Sequence, residues 1–152
     1  KNPARLEWFI EKATEIGISN IYPMVSERTE KEKIKQERLQ QIVISAAKQS
    51  GQLFFPILHS IQKFSELINS TNNQYNQYFI AHCENQKQHL KNLYQKKESA
   101  LLLIGPEGDF TPTEIQQAIN KNYTPISLGN SILRVETAGV VACSIVSIIN
   151  AE

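Results

Sequence analysis

The chain has 152 residues, 41% of them hydrophobic and 20% charged, with a formal net charge of +1. That length suits one domain with a sheet covered on both faces, and the near-zero charge excludes a strong global field, so any nucleic-acid contact must come from a local patch. Two distant cysteines, Cys83 and Cys143, exclude a disulfide framework and zinc spacing, and no apolar run reaches the ~18 residues that mark a membrane span. A soluble protein of the reducing cytoplasm is expected. The chain opens without Met, directly on a helix signal, as a domain cut from a longer protein would.

Asn2-Pro3 reads as a cap followed by a first-turn proline. Leu6, Phe9, Ile10, Ala13 and Ile16 then recur at helical spacing, and Gly17 supplies the stop. Trp8 on this helix suits the core or a dimer interface. Ile21 to Val25 predicts a strand, short or at an edge because of Pro23. A second helix carries Leu39, Ile42, Val43, Ala46 and Ala47 on one face and ends at Ser50-Gly51. Phe54 to Leu58 predicts a short strand, and Phe64, Leu67 and Ile68 a short helix.

Asn69 to Gln77 is a polar loop, Tyr78 to Ala81 a buried strand, and His89, Leu90, Leu93 and Tyr94 imply a helix. After the Leu101–Ile104 strand, Thr111-Pro112-Thr113-Glu114 is a capping box with proline in the first turn. Ile115, Ala118 and Ile119 give that helix its apolar face. Pro125 to Leu128 is a further short strand. Thr137 to Asn150 is apolar nearly all round, which predicts burial on more than one side, in the core or against a second subunit. Strands alternating with helices predict an α/β fold, a mostly parallel sheet with helices on both faces.

Two runs stand out chemically: Gly105-Pro106-Glu107-Gly108-Asp109-Phe110 and Leu128-Gly129-Asn130-Ser131-Ile132-Leu133-Arg134-Val135-Glu136-Thr137-Ala138. Each follows a strand and leads into a helix. Open α/β sheets bind ligands at the carboxyl ends of their strands, so the two turns, set side by side, would form a pocket there. Glycine permits close backbone approach, and the first amides of a helix are free to donate. A Rossmann glycine fingerprint and a Walker loop are both missing. His59, His82 and His89 are too scattered to predict a metal site. The cations Lys31, Lys33, Lys35 and Arg38, then Lys87, Lys91, Lys96 and Lys97, read as solvated faces, and Arg5 and Arg28 as surface charge with a possible grip on phosphate.

These residues resemble the catalytic domain of the RsmE family, the 16S ribosomal RNA uridine-N3 methyltransferases of the SPOUT (trefoil-knot) superfamily. Three stretches carry the resemblance: Glu11-Lys12-Ala13-Thr14-Glu15-Ile16-Gly17 with Pro23 and Glu27-Arg28-Thr29; Ala46-Ala47-Lys48-Gln49-Ser50-Gly51 with Pro56; and the two glycine runs above. Order and spacing agree along essentially the whole chain. The resemblance implies a C-terminal trefoil knot, a homodimer with the site near its interface, and S-adenosyl-L-methionine held in a bent conformation. It also implies one domain over residues 1–152, with the family's small PUA-like β-barrel RNA-binding domain absent from this chain.

Three positions depart from the family pattern. Asp109 and Lys48 stand where glycine and an acidic residue are common, and Gln52 where arginine is.

The cofactor is then expected against Ala81, His82, Ile104, Gly105, Pro106, Gly108, Leu128, Gly129, Ile132, Leu133, Thr137 and Ala138. Arg28, Gln49 and Ser50 would meet small-subunit ribosomal RNA. Uracil N3 is protonated at neutral pH, so methylation needs loss of that proton and stabilisation of charge on the flanking carbonyls. Arg134 offers a fork of donors for that charge, and Glu136 or Glu107 could orient Arg134 or accept the proton. The competing reading makes Arg134 and Glu136 a structural ion pair at the start of the last helix. Two functional alternatives remain, a SPOUT enzyme acting on ribose 2′-OH and an inactive RNA-binding module of the same fold.

Overall fold

The computed structural model describes residues 3–30, 34–83 and 87–152; the expected cap Asn2 and the cations Lys31 and Lys33 lie outside them. Helix α1 (Pro3–Ile16) turns Ile10 and Ala13 fully inward. It stops at Gly17, whose φ of +100° is open to glycine and whose N–H donates to the Ala13 carbonyl at 3.1 Å. The strand expected over residues 21–25 is split by Pro23 into β1 (Asn20–Ile21) and β2 (Met24–Val25). These pair in parallel with β3 (Ile57–Leu58) and β4 (Gln62–Lys63). The partner offset changes from Asn20↔Ile57 to Met24↔Gln62, so one extra residue is accommodated where proline has no N–H to give the ladder.

Helix α2 (Gln36–Ser50) buries Leu39, Val43, Ala46 and Ala47 and ends on Gly51 in the left-handed region. The expected strand over residues 54–58 begins only at Ile57. Phe54, before Pro56, is 86% exposed and unpaired. Helix α3 (Phe64–Ser70) follows and seals its apolar residues against the sheet.

The C-terminal half holds an unbroken three-stranded parallel sheet, order β6-β5-β7, made of β5 (Gln77–Ala81), β6 (Ala100–Ile104) and β7 (Thr124–Ile126). Alternation along its strands divides the core. Ile80, Leu101 and Leu103 pack with α3 and with α5 (Pro112–Asn120); Phe79, Leu102, Ile104 and Ile126 pack with α4 (Leu90–Leu93) and with α6 (Val135–Ala151). Helices thus cover both faces, as expected. Helix α4 is a single turn, shorter than the apolar spacing implied. The ladders form three separately paired groups, every one parallel.

Helix α5 carries the expected capping box. Thr111 Oγ1 accepts from the Glu114 N–H at 3.1 Å, and Glu114 Oε1 accepts from the Thr111 N–H at 3.0 Å. Helix α6 crosses α1 so closely that a Cβ on Gly139 would collide with the ring of Phe9. Only Gly139 and Ala142 of α6 are buried, and Ile148 is 63% exposed. The helix is thus packed on two sides, against α1 through Gly139 and against the sheet and α4 through Ala142, Ile145 and Ile149, while a further apolar face stays exposed. No described helix is long and apolar enough to cross a membrane.

Candidate active site

Register places the strand ends together: Ala81 lies opposite Ile104 on one side and Ile126 on the other. The three loops that follow leave from one edge of the sheet. The two glycine turns are not on adjoining strands, as expected above, because β5 separates β6 from β7 and sets the turns about two strand spacings, or ~10 Å, apart. The chain reverses its direction of travel across the sheet here, moving from β5 to β6 and then back over β5 to β7. Such a switch is where open α/β sheets bind their ligands.

The β6 turn is closed by an Asp109 N–H bond to the Pro106 carbonyl at 2.8 Å. Asp109 sits at φ +65°, a conformation Asp tolerates better than most residues. The departure from glycine therefore leaves the turn intact. Phe110 is fully buried and packs so close to Gly105 that an added Cβ there would meet its ring at 3.0 Å. The β7 turn is tied by Ser127, whose Oγ donates to the Gly129 carbonyl at 3.0 Å. Ser127 also joins residues 88–90 through two backbone bonds. Gly129 has φ +139° and open space beside it.

Side chains from distant segments converge on the β6 turn. Arg5 of α1 is hydrogen-bonded and ion-paired with Glu107, and its Nε is 3.8 Å from Glu136 Oε1 in the first turn of α6. One guanidinium thus joins both carboxylates proposed for proton work. Arg28 donates to the Gly108 carbonyl at 2.8 Å, and the buried Glu114 carboxylate accepts from the Glu27 N–H at 3.0 Å. The carboxyl ends of β2 and β6 therefore share an edge. Arg28 lies at the candidate site, but as a strut of the turn. No local pattern signals the Arg5 contacts, which span 102 positions to Glu107 and 131 to Glu136.

Arg134 caps α6 in extended conformation, and its carbonyl accepts from the Ala138 N–H at 2.8 Å. Its side chain is exposed and makes no ion pair among the described residues. The Arg134–Glu136 pair of the competing reading is not formed, since Glu136 turns to Arg5. Gln49 and Ser50 are exposed at the end of α2, just before β3, and so at the opposite edge of the strands from the turns. Ser50 Oγ is turned back onto the Ala46 carbonyl at 2.7 Å. One chain does not bring these two residues to the site. The solvated cation Arg38 pairs with Glu7, which holds that carboxyl below its usual range.

A cleft of about 1510 Å³ runs along the outer edge of β6, facing the segment from Tyr22 to Ser26 that contains β2, and continues past Arg5, Glu107, Gly108 and Glu136. Of the expected cofactor contacts it takes in Ile104, Gly105, Pro106 and Gly108. It does not reach Ala81, His82, Leu128, Gly129, Ile132 or Leu133. The expected apolar slot on the β7 turn is instead an open rim: Ile132 is 87% exposed, with none of the described residues covering it. Thr137 lies with Arg5 and Glu136 around a smaller hollow beside Trp8, and Ala138 is half-buried on the first turn of α6. Burial pushes the Cys143 thiol up to about 11, which suits a packed side chain rather than a nucleophile. Among the described residues no group of three or more His, Cys, Asp or Glu side chains could hold a metal ion.

Known proteins resemble this chain in sequence and in fold. The chain is 32% identical, over 88% of its length and 60% of the relative's, to ribosomal RNA small subunit methyltransferase E of Mesomycoplasma hyopneumoniae (strain 232). A probable rRNA-methyltransferase from Porphyromonas gingivalis superposes with a TM-score of 0.93 and 38% identity, covering 99% of this chain and 64% of that one. Ribosomal RNA small subunit methyltransferase E from Neisseria gonorrhoeae, bound to S-adenosyl methionine, gives a TM-score of 0.84 and 32% identity, covering 93% and 59%. The chain spans about 60% of the length of these relatives. The RNA methyltransferase domain family matches residues 1–147, and the chain belongs to that family.

Proposed function

We propose that the protein transfers a methyl group from S-adenosyl-L-methionine to N3 of a uridine in small-subunit ribosomal RNA. The observation that carries this reading is the convergence of three loops at one sheet edge, with Arg5 joining Glu107 and Glu136 there and the Arg134 guanidinium making no ion pair among the described residues. The donor set fits the cofactor: open space beside Gly129, an uncovered apolar side chain at Ile132, and the free amides of α6. When bound, S-adenosyl-L-methionine supplies an electrophilic methyl carbon on a sulfonium. The backbone of residues 104–108 and 128–133 would hold it, with Ala81 and His82 between them.

Arg134 donates to the uracil carbonyl oxygens flanking N3 and stabilises the charge that appears as the N3 proton leaves. Glu107 or Glu136 accepts that proton, each oriented by Arg5. Arg28 steadies the β6 turn, and Gln49 and Ser50 reach RNA only from a second subunit. The same reading makes the protein a cytoplasmic homodimer with a C-terminal trefoil knot in the SPOUT fold. The half-exposed apolar surface of α6, with Trp8 beside it at 43% exposure, supports the dimer; the return of the chain over β5 into α6 supports the knot.

Calorimetric titration with S-adenosylmethionine, followed by methyl transfer to small-subunit RNA, tests the proposal. Arg134→Ala should abolish transfer while leaving cofactor affinity within a few-fold. Equal loss of both would make Arg134 a wall of the pocket, and no binding by the unaltered protein would end the methyltransferase reading.

A further inference from the structure

We infer that Asp109 is a positioning residue, whose carboxylate straps the end of β5 to the β6 turn and holds the two in the shape that receives the cofactor; this rests on the methyltransferase reading above. Its two oxygens take different partners. Oδ1 accepts from the Phe110 N–H at 2.8 Å, on its own turn, and Oδ2 accepts from the Cys83 N–H at 2.9 Å, beyond the end of β5. Both distances are those of charge-assisted bonds from amide to carboxylate. The backbone N–H of the same residue closes the turn on Pro106, so three bonds meet at one residue.

The turn itself is anchored independently. Phe110 is fully buried against Gly105 and Phe64, and Arg28 holds the Gly108 carbonyl. Among the described residues Cys83 makes no other backbone hydrogen bond, and it follows His82, where the third wall of the cofactor site is placed. Among the described residues with positive φ outside glycine, Asn73, Lys97, Asp109 and Asn122, only Asp109 lies at the carboxyl edge of the sheet. Glycine at this position would satisfy the same φ. An aspartate accepts the conformational disadvantage of the left-handed region and adds a link between two loops that a glycine could not make.

The test compares Asp109→Gly and Asp109→Asn with the unaltered full-length protein by three measurements. These are backbone hydrogen exchange without cofactor, thermal unfolding, and calorimetric titration with S-adenosylmethionine. Glycine should leave the unfolding temperature nearly unchanged and speed exchange of the Cys83 amide about tenfold. It should weaken cofactor affinity by about threefold to tenfold, the loss of a preformed site. Asparagine tolerates the same φ but carries a single acceptor oxygen, so its effects should fall between. Unchanged Cys83 exchange, or faster exchange with unchanged affinity, would overturn the inference while the methyltransferase reading stands. Failure of the unaltered protein to bind S-adenosylmethionine would overturn both.

Discussion

Both halves of the molecule build parallel ladders, yet they use them differently. In the N-terminal half, Pro23 cuts the ladder into two-residue pieces, and the register slips by one between β1–β3 and β2–β4. In the C-terminal half, β5 pairs with β6 through five consecutive residues without a break. A continuous ladder delivers its strand ends to one edge at fixed spacing, so the loops that leave it are located by the sheet itself. The broken ladder instead sends side chains across to that edge, Arg28 to Gly108 and the Glu27 amide to Glu114. The regular half sets the candidate site and the irregular half braces it.

The comparison is broken most severely by removing the anchor of the regular half. Phe110→Ala empties a fully buried position beside Phe64 and should cost about 3–5 kcal/mol of stability. Chemical denaturation reads this directly, and a loss below about 1 kcal/mol would mean that the turn after β6 is held by something other than its buried ring.

A smaller effect is expected at the joint between the halves. Gly139→Ala would gain about 1 kcal/mol in an isolated helix, but the new methyl meets the Phe9 ring, and overpacking costs about 1–3 kcal/mol. Net destabilisation relieved by a second change, Phe9→Leu, is the expected result; simple stabilisation by Gly139→Ala would show that α1 and α6 need no close approach.

The smallest effect belongs to the irregular half. His59 stacks on Tyr22 with ring centroids 4.0 Å apart, and burial holds its pKa below 6.5. The unfolded chain therefore binds that proton first, so this contribution is complete above pH 6.5 and is lost as pH falls through the lower folded-state value. Comparison with His59→Gln should show a shallower acid loss in the variant, and parallel curves would assign the acid sensitivity elsewhere.

Much of this was legible from local rules. The capping box at Thr111, the stop at Gly17 and the strand over Leu101 to Ile104 depend on neighbours within a few positions, so they read correctly. The pair Phe54-Phe55 did not, because apolar residues held extended ahead of a proline look like a strand until their missing partner is seen. Gln49 and Ser50 were grouped with the site by resemblance, whereas α2 ends at the other edge of the sheet. Asp109 was visible only as a departure from a glycine; its bond to Cys83, 26 positions away, was not.

What the residues determined alone was the series of elements, the two glycine turns and their chemistry, because helix periodicity, caps and left-handed turns are short-range physics. Only the tertiary structure decided that β5 separates those turns, that one arginine from the first helix joins two carboxylates more than a hundred positions on, and that the β7 rim stays uncovered. Strand order and long-range ion pairs are set by how the whole chain shares its buried surface, and no window of sequence contains that sum.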